Sequence, residues 1–261
     1  MLFLLLNGFL YCQFDPGAKQ ISLSHSNVAN DNDVFALFNN VSCLTQLKSG
    51  EVGIFYSPSP YGLKELSTAN IAYAEPFNFG TLSVGGMRYG FNLYSEYNFL
   101  LGFSRIITNG LSIGITLNYH TVKIKNYGSD YSVYADVGLS FKIIKEVYWG
   151  FSFRNINRAT FGNEKDQIPS IIRTGFSYYP LKELSINCAV DKETSLKENF
   201  LFGINYDVIK YLSLRSGFST EVRQISAGIG LHYSIFNIDY AFVNHSDLGP
   251  THQAGVIIRF K

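Results

Sequence analysis

The sequence predicts an all-β protein: a transmembrane antiparallel β-barrel of about fourteen strands, preceded by a short helical amino-terminal plug. Three observations lead there. Period-two alternation runs through most of the chain after residue 50. In six of the alternating segments, from residues 111–119 to residues 254–260, the apolar face lacks Lys, Arg, Asp and Glu. Tight turns then alternate along the chain with mostly longer loops.

Composition is consistent with this. The chain has 261 residues, of which 16% are charged and 16% aromatic, with 23 glycines. Soluble domains carry about a quarter charged residues, so the composition fits an all-β protein with one face turned to something other than water, or a soluble β-sandwich or small barrel with an unusually apolar surface. The net charge of +1 gives no basic field for nucleic acid.

The first residues, "MLFLLLNGFLYCQ", form an apolar run too short to span a bilayer. Residues 1–13 are expected to be a secretory signal peptide, although no Lys or Arg precedes the run and no A-x-A site follows. The true start of that leader is left open. Leu10-Tyr11 makes a poor lipobox before Cys12, so a lipid anchor there is the lesser reading. Cys43 and Cys188 lack metal-ligand spacing and are expected to be buried thiols rather than a disulfide. Residues 14–48 are expected to form the plug, and residues 49–261 the barrel.

The segment "GLSIGITLNYH" places Leu111, Ile113, Ile115, Leu117 and Tyr119 on one face and Ser112, Gly114, Thr116, Asn118 and His120 on the other. The segment "YSVYADVGLSFKI" repeats the pattern. Charges gather on the non-apolar faces, which the barrel turns inward: Glu96, Asp136, Arg154, Arg173, Asp207, Arg215, Asp239 and Arg259, with His120 and His232 among them. Neighbouring aspartates and arginines are expected to pair across the lumen and keep it round and hydrated. The third segment breaks parity near Gly80, as a β-bulge would.

Size separates membrane from soluble barrels. About eight strands can be filled by side chains, whereas about fourteen leave a wide lumen. A two-sheet soluble sandwich is the alternative, but many segments run longer than sandwich strands do. Turns such as Thr108-Asn109-Gly110 and Pro180-Leu181-Lys182 mark one rim. Longer connections, such as residues 155–167, mark the other. With an even strand number both chain ends lie on the tight-turn side, which is periplasmic in an outer-membrane barrel of a Gram-negative bacterium.

The stretch "DVFALFNNVSCL" reads as a helix of about two turns, with Asp33 as its N-cap. It is expected at the periplasmic mouth, where the wall buries Phe38 and Leu44 and Asn40 bonds to nearby backbone.

Residues 17–44, "GAKQISLSHSNVANDNDVFALFNNVSCL", resemble the opening signature of the PorV/PorQ-type outer-membrane proteins of the Bacteroidetes lineage, relatives of the FadL-like transporters. Gly17, Ala18, Asp33, Ala36, Phe38, Asn40 and Leu44 fall at matching positions, as do Leu23, Val28 and Ala29. Ser22, Ser24, His25 and Asn27 replace the family's glycine cluster, and its Asn-Pro-Ala reads Asn40-Val41-Ser42. The resemblance implies a lumenal plug and two candidate roles. One is partnership with a secretion translocon or its cargo in type IX secretion or surface-protein assembly, which the modest loops favour. The alternative is passage of a hydrophobic small molecule. No catalytic or cofactor motif appears, so neither enzyme activity nor a cofactor is expected, and lipid is the expected surrounding.

Overall fold

The computed structural model describes residues 15–162, 166–194, 196–221 and 223–260. The expected signal peptide and Cys12 lie outside the described residues. Fourteen antiparallel strands close into one barrel. They are β1 (Glu51–Ser57), β2 (Thr68–Phe77), β3 (Gly80–Gly90), β4 (Tyr94–Thr108), β5 (Leu111–Ile124), β6 (Gly128–Ile144) and β7 (Val147–Arg154). Then follow β8 (Ile171–Leu181), β9 (Leu184–Glu193), β10 (Asn199–Ile209), β11 (Leu212–Ser219), β12 (Gln224–Tyr233), β13 (Phe236–His245) and β14 (Gly249–Arg259). Each strand pairs with its neighbours in sequence. β14 closes on β1 through pairs from Glu51↔Arg259 to Tyr56↔Ala254. Closure leaves no open edge and satisfies the wall's backbone groups, as a hydrocarbon surrounding demands. A two-sheet sandwich is excluded.

Connections at one rim are two residues each, and both ends of the barrel sequence, Glu51 and Arg259, lie there. At the other rim the connections are longer or equal to three residues. The longest, residues 155–170, carries a small hairpin of Thr160–Phe161 with Asp166–Gln167.

Alternation sets the two faces. Ile71, Leu101, Leu117, Phe202 and Ile229 are exposed on the outside, where lipid takes the place of water. Stacked rings Phe77–Phe79 (5.3 Å) and Phe79–Phe103 (6.4 Å) cluster near the tight-turn rim. Arg88 and Arg105 stand on the outer face only near the ends of β3 and β4, where a charge costs least.

Two local expectations are corrected. Gly80 is not in a bulge: residues 78–79 are a tight turn, and β3 pairs without interruption with β2 and β4. The parity break is the turn itself, with Gly80 at φ 147°. Cys43 is buried and free, but Cys188 is exposed, because alternation turns it to the outside of the barrel rather than toward the lumen.

The amino-terminal segment lies inside the barrel. Its helices are α1 (Ala18–Ser22), α2 (Ala36–Asn39) and a 3₁₀ turn (Val41–Gln46). The expected two-turn helix is therefore broken. Asn40 is extended (φ −146°, ψ 96°), and its side chain caps the 3₁₀ turn instead. Asp33 acts ahead of α2: its Oδ1 accepts from Phe35 N at 3.0 Å. The segment also sits deeper than the mouth, against the barrel's inner wall.

Candidate functional site: the plugged lumen

The wall admits the plug through a belt of small residues. A β-carbon on Gly53 would strike Val34 and Phe35. On Gly85 or Gly102 it would strike Leu37, and on Gly114 or Gly138 it would strike the Asn40–Ser42 stretch. Around the far side Gly150 abuts Ala29, Gly203 and Gly217 abut Leu23 to Ser26, and Gly228 abuts Ser22. Ala72, Ala189 and Ala241 are buried on three of the remaining strands. Gly175 faces Ala189, and Gly255 comes within 3.9 Å of Ala18. Every strand thus supplies one glycine or alanine at this level. Some are direct partners, such as Gly53↔Ala72↔Gly85 and Gly203↔Gly217; elsewhere the belt slips by two residues between neighbours, keeping it level in a tilted barrel.

Apolar side chains fill the ring. Ile21, Val34, Phe35, Leu37, Val41 and Leu44 form a continuous core with the wall residues Phe55, Leu100, Val243 and Ile257. Phe35 meets Phe55 edge to face at 6.4 Å. Among the signature residues, Gly17 takes φ 111° ahead of α1, and Ala18, Ala36, Phe38 and Leu44 are buried. Asn40 ties plug to wall: it donates to Val28 O (2.7 Å) and Leu139 O (3.0 Å) and accepts from Ser42 N and Oγ.

A polar chain threads the plug. Arg173 binds Asp191 (2.6 and 2.8 Å) and donates to Asn39 Oδ1 (2.6 Å). Asn39 donates to Asp31 (3.1 Å), and Gln20 donates to both Asp31 (2.7 Å) and Asp33 (2.8 Å). Lys19 closes the chain on Asp33 at 2.9 Å and on Asn32 at 2.7 Å. Burial pushes Asp31 up to about 7, and the neighbouring Asp33 carboxylate adds to the shift. Burial would raise Asp33 too, but Lys19 outweighs it and holds Asp33 low. Of the two carboxyls beside Lys19, Asp31 therefore keeps its proton to the higher pH. Cys43 is pushed up to about 12 by burial, so its thiol is inert.

Of the charged residues singled out by alternation, Arg154 and Arg173 meet at Asp15, and Arg154 also donates to Phe38 O at 2.9 Å. The others form separate wall pairs. Glu96 meets His120 (2.8 Å), and Asp136 accepts from Asn118 and from Asn155 N (2.8 Å each). Arg215 holds Asp239, Asp207 accepts from Ser213, and His232 lies 2.8 Å from Ser213. Arg259 holds Glu51 at 2.7 Å by the tight-turn rim. Sequence reasoning passed over Asp15, Gln20 and Asp31, and took Lys19 only as a signature match, with Lys in place of Arg. The Asp31-Asn32-Asp33 triplet was the available signal.

Above the plug, on the long-loop side, lies a cavity of about 170 Å³. Ile171, Leu196, Leu201 and Tyr61 supply apolar wall; Asp15, Arg173 and Asp191 supply charge. His25 projects from a left-handed turn (φ 57°), and both its ring nitrogens are buried without a partner among the described residues. Burial lowers its pKa to about 4, which keeps it neutral. Among the described residues no cluster could hold a metal ion.

The fold and site define a class: closed fourteen-stranded barrels with a lumen-filling amino-terminal segment. No protein-family model matches the chain, and no curated protein is similar to it in sequence. Solved structures share its fold. The Ralstonia pickettii toluene transporter TbuX is 10% identical, with a TM-score of 0.69 over 95% of this chain and 99% of that one. The P. putida toluene transporter TodX is 10% identical, with a TM-score of 0.70 over 95% and 99%. A Pseudomonas aeruginosa FadL homologue is 9% identical, with a TM-score of 0.66 over 94% and 98%. The chain therefore has the FadL-like outer-membrane barrel fold.

Proposed function

We propose that this protein sits in the outer membrane of a Gram-negative bacterium, with both ends of the chain on the periplasmic side. There it admits a small hydrophobic molecule, without enzymatic chemistry. The molecule enters from the long-loop side and passes when the plug shifts. One observation carries this reading: a cavity of about 170 Å³ is floored by the plug and walled by the outer loops. The fold shared with the toluene transporters supports it. Because β3 pairs unbroken on both sides, the route runs past the plug rather than through the wall there. The test is uptake of labelled toluene by cells with and without the protein at equal outer-membrane integrity. Faster uptake with the protein is expected; equal uptake rejects the reading.

A second reading is favoured by the signature segment. Gly17, Ala18, Asp33, Asn40 and Leu44 all serve to seat the plug, and a rigidly plugged barrel suits a docking platform. In it the protein partners a secretion translocon or cargo of type IX secretion. Purification from native membranes in mild detergent should then recover such components; isolation as a lone barrel counts against it.

A further inference from the structure

We infer that the cavity above the plug binds a small neutral amphipathic molecule, an aromatic or alicyclic ring bearing one hydroxyl group, held by the His25 imidazole. This rests on the proposed uptake of small hydrophobic molecules and names their class.

Size comes first. A cavity of about 150 Å³ takes a benzene-sized guest. At about 170 Å³ this one fits a six-membered ring with one substituent. Ile171, Leu196 and Leu201 offer the apolar contact such a ring needs.

Polarity comes second. His25 is only 9% exposed, and neither ring nitrogen has a hydrogen-bond partner among the described residues. A buried imidazole without partners is costly. A neutral imidazole offers one donor and one acceptor, and a hydroxyl group answers either. A bare hydrocarbon answers neither.

Charge comes third. The Arg173 guanidinium is already taken by Asp191, Asp15 and Asn39, and Arg154 by Asp15 and Phe38 O. Asp15 and Asp191, which hold these guanidiniums, line the cavity together with Glu221, and the other cation on its lining, Lys197, is exposed. A carboxylate ligand would therefore find no uncommitted buried cation among the described residues on the lining.

The test measures binding of phenol, cyclohexanol, toluene and benzoate to the intact detergent-solubilised protein by calorimetry. Phenol and cyclohexanol are expected to bind about tenfold more tightly than toluene, roughly one net hydrogen bond, and benzoate not measurably. His25→Phe should bring phenol to toluene's affinity and leave toluene unchanged, while His25→Gln should retain part of the preference. Leu201→Trp, which fills the cavity, should abolish binding of all four. Folding of each variant is checked by its heat-modifiable gel shift, and His25→Gln carries the test if His25→Phe does not fold. Equal phenol and toluene affinities, or a phenol affinity indifferent to His25→Phe, overturn the hydroxyl site and leave hydrocarbon uptake standing. Binding that survives Leu201→Trp overturns the cavity as the site. Phenol bound at His25 with no protein-dependent toluene uptake by cells rejects the uptake reading while the site stands.

Discussion

A β-carbon on Gly217 would lie 2.6 Å from the amide nitrogen of Ser24, so the wall of β11 touches the plug's main chain with nothing between. Main chain cannot swing aside as a side chain can. Gly217→Ala and Gly114→Ala, the latter meeting Ser42 N at 2.8 Å, should each destabilise the seated plug by about 1–3 kcal/mol. Gly255→Ala, whose nearest neighbour would be 3.4 Å away, should be neutral. Planar-bilayer conductance reads the difference: openings are expected in the first two and wild-type behaviour in the third.

Asn40→Ala removes two donations and two acceptances that tie α2 and the 3₁₀ turn to Val28 and to β6. A loss of about 1–3 kcal/mol is expected. Asn40→Asp should cost more, because a carboxylate would face two carbonyl oxygens. Thermal unfolding and amide exchange over residues 36–46 measure both.

The plug should also respond to pH. Asp31 rises in the folded state from 3.8 to about 7, so the folded plug holds a proton that the unfolded chain has released. Its contribution is complete below 3.8 and is lost as pH rises through about 7. His25 falls from 6.5 to about 4, so its contribution is present above 6.5 and is lost as pH drops through about 4. The charged groups around Asp31 are Asp33 and Lys19, with Glu51 and Arg215 behind them. Amide protection in residues 18–39, corrected for the pH dependence of intrinsic exchange, should stay nearly level between about pH 4 and 6.5, where the two contributions oppose each other. Asp31→Asn should leave a protection that rises with pH over that range.

Arg173 and Arg215 are both buried arginines on the lumen wall, but only Arg173 reaches the plug, through Asn39. Removing one partner of a buried ion pair costs about 3–5 kcal/mol. Arg173→Met and Arg215→Met should both lower barrel stability by that order. Only Arg173→Met should also raise exchange in residues 31–39.

Some of this is legible in sequence because its cause is local. Leu111 to Tyr119 alternate every second residue, and residues such as Asn109-Gly110 form tight turns whatever lies across the lumen. Closure and strand number follow from repeating those local signals. The features that make the site are long-range. Ser24 meets Ser226 across 202 residues, and Arg154 meets Asp15 across 139. In the alternation the belt glycines look like ordinary small lumen residues; only the plug against them explains their size. The helix at "DVFALFNNVSCL" breaks at Asn40 because bonding to Val28 and Leu139 draws that residue out of helical geometry. Nothing local to the sequence signals that.

The central claim is that the plug must shift for a molecule to pass. Ser24 Oγ lies 2.9 Å from Ser226 Oγ, joining plug to wall. Replacing both with cysteine, in a chain with its native cysteines removed, allows a disulfide that locks the plug to β12. Toluene uptake by cells should be lost under oxidation and return on reduction. Uptake that continues unchanged with the tether closed would contradict the account.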